Sequence, residues 1–119
     1  IIALRAFHVS RLREEGKRVE IRGDFCLSAC TMYLAAGDVC TEPDVTFGFH
    51  GPRYADGSMM PPAEFEKWSR LMAAHYPSVR LSHWFMAKAR YKMRGYYAVS
   101  GADMIALGVE ECDPLTPPP

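Results

Sequence analysis

Apolar positions along this chain change period several times, and each change marks an element. In residues 2–15, Ile2, Ala6, Val9 and Leu12 fall near helical spacing, opposite Arg5, Arg11, Arg13 and Glu14. That predicts an amphipathic helix ending at Gly16. Residues 18–23 (Arg-Val-Glu-Ile-Arg-Gly) alternate polar and apolar side chains, as a half-buried strand does. A short run of small apolar residues, 29–36, reads as a buried helix stopped by Gly37, a residue suited to the left-handed cap. Residues 38–40 read as a short extended piece, and Pro43 with Asp44 turns the chain into a second strand over residues 45–49.

The second half is mostly helical in pattern. Residues 51–62 have loop chemistry throughout, with Asp56-Gly57 as a turn signal, and leave the second strand where they could cover a site. Phe65, Trp68, Leu71 and Met72 lie at helical spacing in residues 63–76, and Pro77 ends that helix. Ser78 caps another, through Leu81, Trp84, Phe85 and Ala89 to about Arg94, so the two form a helical hairpin. Ser100 with Asp103 starts a last short helix through Ile105 and Leu107, stopped by Gly108. Residues 109–112 are expected as a final strand and 114–119 as a proline-rich exit. Helical spacing assigns Trp68, Trp84 and Phe85 to the core. His8, His75 and His83, also on helices, are read as structural or surface residues.

Two strands separated by one helix predict a parallel βαβ unit and an α/β fold. Ligands in such sheets bind at the carboxyl ends of the strands, where Ser28 and His50 both fall. Ser28 sits in a sharp strand-to-helix turn, and the amide of Ala29 is among the first free N–H groups of the helix. A serine so placed projects its hydroxyl from the sheet edge, beside donors able to hold an oxyanion. The plainer reading is that Ser28 is a helix cap and that His50 is a strand-end histidine bonded to a backbone carbonyl.

Composition narrows the classes. A chain of 119 residues, 49% hydrophobic and 24% charged, is of ordinary globular type, here read as one domain over residues 1–113 with a tail over 114–119. Fourteen basic residues balance fourteen acidic ones, so electrostatics favours neither nucleic acid nor an anionic membrane as partner. No apolar run is long enough to cross a bilayer. The sequence opens at Ile1 without a methionine or leader, from which a processed product or an excised piece is expected. The four cysteines suit disulfides in an oxidising compartment, with three possible pairings, of which Cys26 and Cys30 straddle the serine turn within plausible bridging reach. A metal site of Cys26, Cys30, Cys40 and His50 is the alternative, although the spacing matches no usual zinc-finger pair.

Residues 23–37 and 47–52 together resemble the Clp protease proteolytic subunit within the crotonase superfamily, and more closely the periplasmic Clp-protease-like proteins of bacteria. In that family the nucleophilic serine opens a small-residue helix closed by Ala-Gly, as in Ser28 to Gly37, and a proline leads into a strand ending His-x-Pro, as Pro43 and His50-Gly51-Pro52 do. Cysteines flanking the serine, Cys26 and Cys30, point to the periplasmic branch. Val99-Ser100 and residues 106–109 are similar, more weakly, to later family segments.

The resemblance implies an α/β fold of ClpP/crotonase type, built of parallel βαβ units with a peripheral helical hairpin and lacking its N-terminal part. It implies a serine peptidase-like hydrolase in which Ser28 attacks, His50 is the general base and the Ala29 amide holds the oxyanion. It calls for neither metal nor cofactor. It also implies a peptide or protein substrate, a homo-oligomer, a periplasmic or secreted location, and pairing of Cys26 with Cys30 and of Cys40 with Cys112. Two departures stand out. The family's glycine-rich segment with the second oxyanion amide lies upstream of the first helix, and Tyr96 and Tyr97 stand near where its catalytic aspartate is expected. Asp103 is the candidate replacement, with Asp56 and Glu110 as others. A binding or scaffold protein that has lost catalysis, or crotonase-type acyl-CoA chemistry, are the rival functions.

Overall fold

The computed structural model describes residues 2–115, so of the tail over 114–119 residues 116–119 lie outside the description. Helix α1 runs Ile2–Glu14 and is followed by strands β1 (Arg18–Ile21) and β2 (Phe25–Leu27). A 3-10 helix over Ser28–Ala35 leads to β3 (Asp38–Thr41) and β4 (Thr46–Phe49). After the 51–62 loop come α2 (Pro62–Ala73) and α3 (Val79–Ala87), then β5 (Tyr97–Ser100), α4 (Gly101–Ala106) and β6 (Glu110–Glu111).

The strands form two three-stranded sheets. One, ordered β1-β3-β6, is wholly parallel, with Val19 opposite Val39 and Cys40 opposite Glu110. The other, ordered β2-β4-β5, is mixed: β2 runs parallel to β4 and β5 antiparallel to it. The described residues therefore fold as α/β.

Two strand assignments from the sequence pattern change. The strand expected over residues 18–23 does not itself feed the serine turn; the chain breaks at Gly23 and Asp24, and β2 resumes in the other sheet. Crossed backbone bonds hold the break: Glu42 N–H donates to Ile21 O at 3.0 Å and Thr46 N–H to Asp24 O at 2.8 Å. The parallel partner of β4 is thus β2, while β1 pairs with β3. The run expected to be helical to about Arg94 stops at Ala87. Lys88 leaves helical geometry at φ −138°, and only a short 3-10 turn over Ala89–Tyr91 follows. β5 had been hidden, because four residues carry too little period to reveal a strand.

Burial centres on β4. Phe47 and Phe49, with Val45 just before the strand, share one face and are fully covered, as the central strand of the mixed sheet requires. Phe49 meets Tyr76 and Trp84 edge-on at centroid distances of 5.2 and 5.4 Å, and Tyr76 meets Phe85 at 5.2 Å, so α3 and the connection that leads into it from α2 are packed onto the site-bearing sheet. Each such ring contributes roughly 2 kcal/mol on burial. Trp84 is only half-buried, as is Trp68, whereas Phe85 is a full core residue. Helix α1 lays Val9, with half-buried Ile2, Ala6 and Leu12, on the same core. Ser78 and Ser100 cap α3 and α4 through bonds from Leu81 N–H and Asp103 N–H.

All four cysteines are bridged. Cys26 joins Cys30 at a sequence separation of four, and Cys40 joins Cys112 at a separation of 72. The second bridge ties the adjacent strands β3 and β6 just where the last strand ends. With every sulfur so used, the thiolate metal set is not formed. No helix among the described residues is long and apolar enough to cross a membrane.

Candidate functional site

Register on the mixed sheet sets the site. Leu27, last residue of β2, lies opposite Gly48 of β4, so the next residue of one strand and the residue after the end of the other, Ser28 and His50, emerge at neighbouring strand ends. Both line a cleft of about 240 Å³ with Ala29, Pro52, Arg53 and Tyr96. The sequence thus places its nucleophile and base candidates together through two adjacent parallel strands.

Ser28 is the one non-glycine residue with positive φ among the described residues, at +56°. A side chain in the left-handed region is disfavoured by roughly 1–2 kcal/mol. Its hydroxyl does not cap the helix: the capping position is Leu27, which has extended geometry and makes no side-chain cap bond. The cap reading of Ser28 is therefore not realised. Two features hold the turn. The Cys26–Cys30 bridge brackets it. Thr31 Oγ1 donates to the Ser28 carbonyl at 2.6 Å and, its proton so used, accepts from the buried Tyr76 hydroxyl at 3.0 Å. Burial pushes the Tyr76 phenol well above its ordinary range, so it stays a proton donor. Pattern reading had not singled out Thr31 or Tyr76; the only sequence signal was a threonine three residues after the turn serine.

His50 is 6% exposed. Its Nδ1 lies 2.6 Å from the Gly51 carbonyl oxygen. A carbonyl can only accept, so Nδ1 carries the proton and Nε2 keeps its lone pair. Burial, chiefly, and the charge of Arg53 move His50 below the ordinary histidine value of 6.5, with the Gly51 bond opposing them. The imidazole is therefore neutral at neutral pH. Gly51 is required here, because a Cβ would sit 1.7 Å from the Arg90 carbonyl oxygen. The Tyr96 ring packs on His50 at a centroid distance of 5.0 Å. No hydrogen bond joins the Ser28 hydroxyl to His50 in this conformation.

The acidic candidates lie elsewhere. Asp103, on α4, borders a separate groove with Arg80, Leu81 and Trp84. Asp56 is taken up by Ser58 within the 51–62 loop, accepting from its amide at 2.9 Å and its hydroxyl at 2.6 Å. Glu110 pairs with Arg18 at 2.6 Å on the other sheet. None of the three lines the Ser28 cleft, and the group bonded to Nδ1 of His50 is a backbone carbonyl. Among the other histidines, His8 Nδ1 bonds the Tyr33 hydroxyl at 2.8 Å and His75 Nδ1 bonds Leu71 O at 2.8 Å.

Comparison with protein-family models, with curated proteins and with solved structures returns no match.

Proposed function

We propose that the chain is a serine peptidase-like hydrolase of Clp-protease type on a ClpP/crotonase-like fold, with Ser28 as nucleophile and His50 as general base. What carries the reading is the single left-handed non-glycine residue among the described residues, a serine at the head of a helix that shares its cleft with a neutral histidine. Such strain accumulates where a side chain must be aimed. In the proposed cycle Ser28 Oγ attacks an acyl carbonyl while Nε2 of His50 takes its proton. The Ala29 amide donates to the developing oxyanion, and the same proton passes to the leaving group. Water then repeats the sequence on the acyl-serine.

The Gly51 carbonyl takes the orienting part that a carboxylate fills in a triad. It fixes the same tautomer, Nδ1–H, but stabilises imidazolium less. The cost is therefore smaller than the roughly ten-thousandfold that follows when the tautomer is wrong. The substrate proposed is a peptide or protein, and the two bridges support an oxidising working compartment, periplasmic or extracellular.

A second reading, a binding module without turnover, draws on the carbonyl in place of an acid and on the absent Ser28–His50 bond. A fluorophosphonate probe with mass mapping separates them. Labelling is expected on Ser28, lost in Ser28→Ala and slowed at least about a hundredfold in His50→Ala. Absence of label on Ser28, or equal labelling without His50, favours the binding module.

A further inference from the structure

We propose that Arg53 makes the Ser28 cleft selective for ligands carrying a carboxylate close to the reacting carbonyl, an inference that rests on the hydrolase reading. Among the described residues, Arg53 is the only charged residue lining the cleft with Ser28 and His50. It is half-buried, and its one hydrogen bond among the described residues is from Nη1 to the Met93 carbonyl oxygen. That bond anchors the guanidinium without neutralising it, and spends one of its five N–H donors. Of the three other half-buried arginines among the described residues, Arg22 pairs with Glu20 and Glu42 and Arg90 with Glu66, while Arg5 has no carboxylate partner and lies over the Tyr33 ring, 5.0 Å from its centroid. Among the described residues no carboxylate lies within ion-pair range of Arg53.

A half-buried cation left unpaired in a cleft is a ready site for an anion, and the planar guanidinium fork fits a carboxylate in particular. Because His50 is neutral, the charge of the cleft is that of Arg53 alone. Position is specified as well. An adjoining cavity of about 280 Å³ shares Ile2, Arg53, Tyr54 and Ala55 with the cleft, and its remaining wall includes Glu64, which accepts from Trp68 Nε1 at 3.0 Å. The Glu64 carboxylate disfavours an anion there and leaves the Ser28 side as the place for one.

The carboxylate has two possible sources, an acidic side chain or a free chain terminus. Four hexapeptides bearing a neutral dye distinguish them: central Asp or Asn, each with a free or amidated C-terminus, titrated against the full chain by fluorescence anisotropy. The carboxylate-bearing member of one pair is expected to bind about tenfold tighter than its amide counterpart. Preference for Asp over Asn assigns the side chain; preference for the free over the amidated end assigns the terminus. Arg53→Gln is expected to erase the difference, and Arg53→Lys, which keeps the charge and loses the fork, to reduce it severalfold. No preference of either kind in the unaltered protein overturns the proposal, as does a preference undiminished in Arg53→Lys, so the test survives if Arg53→Gln fails to fold. Binding is read without turnover. Failure of Ser28 to take the fluorophosphonate would therefore sink the hydrolase reading, while the anisotropy series still decides anion selectivity.

Discussion

The two sheets are stapled for different purposes. On the parallel sheet, Cys40–Cys112 joins positions 72 apart in sequence and ties the last strand to its neighbour, and neither cysteine lines the cleft. On the mixed sheet, Cys26–Cys30 joins positions only four apart in sequence, and Ser28 lies midway between them. Loop-closure entropy ranks the first well above the second, at about 4 against about 2 kcal/mol. A bridge with the smaller effect on the unfolded chain thus stands where the backbone is most strained. Stability and site geometry are assigned to separate cross-links.

The largest effect expected on that comparison is global. Cys40→Ser with Cys112→Ser should lower the unfolding free energy by about 4 kcal/mol, read by denaturant titration, while the fluorophosphonate labelling rate of the folded fraction stays the same. A fall in that rate would show that the staple also shapes the cleft.

Cys26→Ser with Cys30→Ser should reverse the pattern. Stability drops by about 2 kcal/mol, and Ser28 labelling slows by at least about tenfold, since a misplaced nucleophile loses much of its orientational advantage. Unchanged labelling would leave the Thr31–Tyr76 bonds as the sole support of the turn.

The smallest effect is separation of the two regions by acid. His50 must be neutral to act, and its folded value lies below 6.5, so labelling should be at its plateau by neutrality and fall only as pH drops through that lower value. On the parallel sheet Arg22, chiefly through its hydrogen bond, holds the Glu20 carboxyl below its ordinary 4.5. A lowered carboxyl adds stability that is fully present above the unfolded value and is lost as pH falls through the folded one. Labelling is therefore tied to the His50 transition, and this part of the stability to the separate Glu20 transition. Coincident loss of labelling and of circular dichroism would mean that one transition governs both regions.

What could be read from the sequence follows the length of each signal. Apolar spacing over ten or more residues located α1 and α2, with Val9 and Met72 buried as the stripes require. The caps Ser78 and Ser100 were legible because their bonds are local, three residues away. Strands β2 and β5 were not, since three or four residues cannot display a period and their pairing is long-range. The neighbourhood of Ser28 and His50 was foreseen, but through the wrong strand: the sequence pattern leads residues 18–23 into Ser28, whereas β2 does so. Thr31 with Tyr76, and Arg53 with Met93, depend on contacts spanning 45 and 40 residues, for which no local pattern exists. The serine's own dihedral was likewise invisible, because serine carries no preference for the left-handed region comparable to that of glycine or asparagine.

That dihedral bears on how the protein would drift under laboratory evolution. Selection for thermal resistance alone would favour glycine at position 28, which adopts φ +56° without the penalty a Cβ incurs. The gain per substitution would be on the order of 1 kcal/mol, comparable to other common stabilising changes. A hydroxyl-dependent screen run in parallel would hold the serine against that drift. The divergence between the two lineages at one codon would record, in heritable form, the conflict between a relaxed chain and an aimed side chain.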